Sequence, residues 1–98
     1  MRITYSPQRS DRSITYTFDG DRITATLDGV TDTFDFSDLP DGEAASIQSV
    51  LDPCPVLAAR RVDGELHVTL LRAIGPRPAD PEELEAWRRL WTDVEEVV

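Results

Sequence analysis

The sequence predicts a small α+β domain: an antiparallel β-meander of about five or six strands built from three Asp-Gly hairpins, with one C-terminal amphipathic helix. Three observations predict it. Residues 12 to 36 alternate apolar and polar side chains around two Asp-Gly dipeptides. Residues 54 to 75 hold the longest apolar run and reverse at Asp63-Gly64. Residues 80 to 94 open with a helix-start pattern and then change to a helical apolar period.

Arg2, Thr4 and Ser6 alternate with Ile3 and Tyr5, which reads as a short first strand. Pro7 to Asp11 is polar and broken by proline, so it reads as a loop. In the meander, Asp19-Gly20 and Asp28-Gly29 are the expected turns, because this dipeptide tolerates the positive φ angles of tight hairpins. A turn at Asp19-Gly20 places Tyr16 opposite Ile23 and Ile14 opposite Ala25. A turn at Asp28-Gly29 places Ile23 opposite Phe34 and Leu27 opposite Val30. Both put Ile14, Tyr16, Phe18, Ile23, Ala25, Leu27, Val30, Phe34 and Phe36 on one face. The other face collects Thr15, Thr17, Thr24, Thr26, Thr31 and Thr33, with Arg22 across from Asp35. That hydroxylated face reads either as a solvated surface or as one that binds a protein, a glycan or an ordered water layer. Asp32 falls on the apolar face, at the expected sheet margin.

Leu39-Pro40-Asp41-Gly42 is a turn, and Ala44, Ile47, Val50 and Leu51 have the spacing of a short helix over 43–51. Pro53 and Pro55 flank Cys54 and impose an extended entry to the next hairpin. With a turn at Asp63-Gly64, Leu57, Ala59, Leu66, Val68 and Leu70 share the core face. Val56, Ala58, Arg60, His67, Thr69 and Leu71 share the other.

The chain reads as a single domain over 1–98, mainly β to residue 75 and then a linker and helix over 76–98. Asp80 is the expected N-cap, Pro81 the first helical residue, and Glu82 and Glu83 sit near the positive end of the helix dipole. Leu84, Trp87, Leu90, Trp91 and Val94 form one apolar stripe on a helix from Pro81 to Asp93, and Val97-Val98 is expected to fray. The stripe either docks on the sheet or faces a partner. In the second case Leu84, Trp87, Leu90 and Trp91 are the contact residues, with the indoles as natural hot spots.

Composition narrows function by exclusion. Nineteen acidic against ten basic residues leave a net charge of −9, which repels phosphate backbones and disfavours direct nucleic-acid binding. An acidic protein can still cover a partner's basic surface, so an inhibitor that mimics nucleic acid is one alternative. Cys54 is the single cysteine, so no intrachain disulfide forms and packing must hold the fold. No apolar run has the length of a signal peptide core or of a membrane span, so the expected location is the cytoplasm.

The candidate chemistry is thin. One His and one Cys do not make a structural zinc site, and the spaced acidic pattern of a calcium loop is missing, so neither a metal nor a cofactor is expected. Cys54 and His67 are the only conceivable nucleophile and base. The register sets His67 beside Arg60, and Cys54 lies between prolines rather than at a helix N-terminus. Paired carboxylates leave a small hydrolase as a further alternative, but most acids fall at turns or in the helix. The reading is therefore a non-enzymatic protein.

Three stretches carry a resemblance. They are Ile3-Thr4-Tyr5-Ser6-Pro7-Gln8-Arg9-Ser10-Asp11, then Phe34-Asp35-Phe36 running into Leu39-Pro40-Asp41-Gly42, and Arg61-Val62-Asp63-Gly64-Glu65-Leu66-His67-Val68-Thr69-Leu70-Leu71. Over residues 1 to 75 the chain resembles short uncharacterised proteins encoded among tail genes of bacterial prophages and tailed phages. Its end, with two tryptophans, departs from the Pro- and Glu-rich tail of that group. The resemblance implies an interaction or assembly role near the phage tail, with a tail component or a second copy as partner, and incorporation into a phage particle. It implies no catalytic residues.

Overall fold

The computed structural model describes residues Met1 to Val98 as eight strands and one helix. In chain order the strands are β1 (Arg2–Arg9), β2 (Ile14–Asp19), β3 (Arg22–Leu27), β4 (Val30–Asp35), β5 (Gly42–Glu43), β6 (Val56–Val62) and β7 (Glu65–Ile74), followed by α1 (Pro81–Thr92) and β8 (Glu95–Val97). They form two sheets. One has three strands in the order β2-β3-β4; the other has five in the order β5-β6-β7-β1-β8. The fold is α+β as expected, but it is not one antiparallel meander of five or six strands. β1 runs parallel to β7, with Ile3 beside Val68 and Tyr5 beside Leu70.

The three-stranded sheet closes by short reversals. Its first lies at Gly20-Asp21, not at Asp19-Gly20: Asp19 pairs with Arg22, Phe18 with Ile23 and Tyr16 with Ala25. Gly20 alone takes a positive φ there, +58°, the pattern of a turn that wants glycine at its first central position. The expected pairing of Tyr16 with Ile23 is thus off by two residues. A two-residue slip keeps every side chain on its face, and Ile23, Ala25, Leu27 and Phe34 are buried. Val30, expected on the core face, is 54% exposed because it sits at the turn. Between β3 and β4, Leu27 pairs with Val30 and Ile23 with Phe34, with Asp28 and Gly29 both at positive φ.

In the five-stranded sheet, β6 and β7 pair Val62 with Glu65, Arg60 with His67 and Ala59 with Val68. Beyond Ala58 the ladder slips. Val56, not Leu57, faces Leu70, and Leu57 has no register partner. This β-bulge turns Val56 into the core at 2% exposure and sends Leu57 out at 45%. The expectation for these two residues is reversed for that reason.

β1 extends to Arg9, through the expected loop at Pro7. Ser10 N donates to Ile74 O and Tyr5 N to Val94 O, so even-numbered residues of β1 donate toward β7 and odd-numbered ones away from it. Pro7, with no N–H, therefore spends none of the β1–β7 ladder. It lies on the open edge beyond β8, which pairs only with Arg2 to Thr4. No helix forms over 43–51. Glu43 pairs with Arg60, Ala44 N donates to Ala59 O, and Ser49 is taken by Asp32. A segment this short does not nucleate a helix against such competitors.

The inner faces of the two sheets make one core of Ile3, Ile23, Ala25, Leu27, Phe34, Val56, Ala59, Leu66, Val68 and Leu70, capped by Leu51. Arg61 locks it at one end. Its guanidinium donates to Leu39 O at 2.7 Å, Phe36 O at 2.8 Å, Gly64 O at 3.1 Å and Asp21 Oδ2 at 3.1 Å.

Candidate functional site

Two surfaces stand out, and the sequence pointed to only one. The first is the C-terminal arm. Asp80 caps α1, its Oδ1 accepting from Glu82 N at 2.8 Å, with Pro81 in the first turn. Arg72 Nη1 binds the other end, donating to Leu90 O at 2.9 Å and Asp93 O at 2.7 Å, where a cation suits the helix dipole. The same guanidinium lies 4.0 Å from the centroid of the Tyr5 ring. Tyr5 donates its hydroxyl to Glu96 Oε2 at 2.8 Å, and β8 pairs with β1. Val97, expected to fray, is held in that strand. Burial of Tyr5, then the Glu96 carboxylate, raises its hydroxyl pKa to about 12.

The apolar stripe is only partly used. No residue of α1 is buried. Leu84, Trp87 and Trp91 are half-buried, and Leu90 is 42% exposed. The two indoles meet edge to face at 5.9 Å. Trp87 Nε1 donates to Gly75 O at 2.9 Å, whereas Trp91 Nε1 is buried with no acceptor. The four residues named from the sequence thus share one neighbourhood, with Leu90 at its solvent edge.

The second surface is the outer face of the five-stranded sheet. Here the chain is bonded to β6 only through residues 42–44, and residues 45–47 beyond them line a cavity of about 600 Å³ with β6. Its apolar end is Ile47, Cys54, Leu57 and Ala58; its floor is Thr4, Arg60, His67 and Thr69. A second cavity of about 360 Å³ continues it toward β8 and shares Thr4, Arg60 and His67. These residues come from β1, β6 and β7, and only the Arg60–His67 pairing was readable locally. The position of β1 beside β7, which supplies Thr4, left no local signal.

Cys54 and His67 do line the same cavity, yet no hydrogen bond joins them. The Cys54 thiol donates to Val56 O at 3.4 Å. The threonine face of the other sheet is regular. Thr15, Thr26 and Thr31 make one cross-strand row and Thr17, Thr24 and Thr33 another. Within it Thr24 and Thr33 share a hydrogen bond at 3.2 Å, and Thr26 and Thr31 one at 3.0 Å. No three His, Cys, Asp or Glu side chains gather as metal ligands, and no helix is long and apolar enough to cross a membrane. Comparison with protein-family models, with curated proteins and with solved structures shows no match to this chain.

Proposed function

We propose that the protein is a non-enzymatic interaction or assembly component, of the kind encoded among phage tail genes, and that it meets its partner through the outer edge of α1. One observation carries this reading: the helix has a continuous apolar stripe, yet none of its residues is buried and Leu90 stands 42% exposed. A stripe that its own domain leaves half open is a natural place for a second protein to cover. The unpaired Trp91 Nε1 supports the reading, since a buried donor without an acceptor costs about 1–3 kcal/mol and a small shift of the helix on binding would relieve it.

The partner in this reading is a tail component or a second copy. Light scattering of the pure protein tests for the copy, and capture from lysate of phage-producing cells tests for the tail component. Leu90→Glu should abolish whichever association is found while leaving the circular dichroism unchanged. Association that survives Leu90→Glu removes α1 as the contact.

A further inference from the structure

The outer face of the five-stranded sheet presents a second surface, apart from α1, with two adjoining cavities. Its centre is Arg60. Arg2, Arg9, Arg12, Arg22, Arg61 and Arg89 are held in ion pairs. Arg60 makes neither an ion pair nor a hydrogen bond, although it lies opposite Glu43 in the β5–β6 ladder. Its neighbour Arg61 is saturated by four acceptors. Around Arg60, the side chains of Thr4, His67 and Thr69 also have no partner within the chain, and all four line the larger cavity. Ile47, Leu57 and Ala58 adjoin them, and the bulge at Leu57 is what turns that side chain outward.

We propose that this trough binds an extended peptide segment that carries one carboxylate beside apolar side chains. The carboxylate pairs with the Arg60 guanidinium, whose planar fork suits it, and the apolar side chains fill the Ile47–Leu57 end. Charge sets the count. Arg60 is the one unpaired guanidinium on this face, because Arg2 is held by Glu65 at 2.8 Å, and Glu43 and Glu95 flank it. A single carboxylate fits between them; a polyanion is repelled, the more so by a chain of net charge −9. Backbone geometry selects a peptide. β5 and the Ala44 N–H that follows it cover β6 from Ala59 to Arg61 and no further, so the edge of β6 at Leu57 is open beside the cavity and can pair with an added strand.

The test is selection of a random heptapeptide display library on the immobilised full chain, wild type and Arg60→Gln. Enriched peptides should share one Asp or Glu next to apolar residues. A synthetic copy should bind Arg60→Gln about tenfold or more weakly, the scale of one charge-assisted bond. Replacing its acid by the amide should cost the same. Amide resonances of Ala58, His67 and Thr69 should shift on titration, and the indole resonances of Trp87 and Trp91 should not. No enrichment, enrichment without an acid, or undiminished binding to Arg60→Gln overturns the proposal. Peptides that move only the indole signals also overturn it, while supporting α1 as the contact surface.

Discussion

Arg61 and Asp21 meet at 3.1 Å, an ion pair that ties β6 of the larger sheet to the β2–β3 turn of the smaller one. The Arg61 side chain is only 14% exposed, and three carbonyl oxygens accept from it as well. Its removal leaves those acceptors and the carboxylate unpaired at the sheet junction. Arg61→Gln should therefore lower stability by about 2–4 kcal/mol, read as a fall in the urea midpoint with the slope unchanged. Arg60→Gln, one residue away, should stay within about 0.5 kcal/mol of wild type. Equal losses at the two positions would contradict the division of labour between these arginines.

The bulge in β6 makes a second pair of neighbours behave unlike each other. Val56 is buried at 2% exposure and Leu57 is open at 45%, the reverse of simple alternation from the Asp63-Gly64 turn. Val56→Ala deletes two buried methyl groups and should cost about 1.5–3 kcal/mol in urea unfolding. Leu57→Ala should cost less than about 1 kcal/mol, despite losing the larger side chain.

Asp32 sits on the apolar side of β4 because a loop comes to meet it. Its carboxylate accepts from the Ser49 hydroxyl at 2.7 Å, from Thr33 N at 2.9 Å and from Val50 N at 3.2 Å. The Ser49 hydroxyl first, then the backbone donors, hold its pKa below the ordinary 3.8. Asp28 is lowered by Ser13 N and then Arg12, and Asp35 by the Ser37 hydroxyl and backbone. A depressed folded pKa favours the native state above the unfolded value, and that contribution is lost as pH falls through the folded value. Stability should be flat at pH 5 to 7 and decline below about pH 4. Asp32→Asn should flatten part of that decline and loosen the 44–53 loop, seen as faster amide exchange at Val50 and Leu51.

What could be read along the chain was whatever neighbours in sequence decide. The helix start at Asp80-Pro81, the period of Leu84, Trp87 and Trp91, and the two faces of β2–β4 depend on contacts a few residues apart. The parallel pairing of β1 with β7 joins Ile3 to Val68, and no local alternation encodes which distant strand an apolar run will choose. Pro7 read as a breaker because its position at an open edge is a tertiary fact. The 43–51 segment has helical spacing, but the Glu43 backbone pairs with that of Arg60 in the β5–β6 ladder and the Ser49 hydroxyl donates to Asp32. The same asymmetry governs the sites. The Trp87–Leu90–Trp91 stripe shows as a period, whereas the Arg60 trough needs Thr4, Ile47 and His67 from separate segments.

The knot of Tyr5, Arg72 and Glu96 makes the arm sensitive to alkali. Tyr5 and Tyr16 are the only tyrosines, and both hydroxyls are raised above the ordinary 10. Burial acts first on each; Glu96 then adds to Tyr5, pushed up to about 12, while Tyr16 donates to Leu71 O. A raised folded pKa contributes stability that is fully present below pH 10 and is lost as pH climbs through the folded value. Absorbance at 295 nm should therefore show no ionisation step at pH 10 and a delayed rise near pH 12, where the sheets come apart. Tyr5→Phe removes the bond to Glu96 but keeps the ring under Arg72. Its Trp emission should remain native at pH 7, and amide exchange in β8 should quicken, since only the side-chain link between β1 and β8 is cut. A full tyrosinate step at pH 10 in the folded protein would show that neither hydroxyl is held as described.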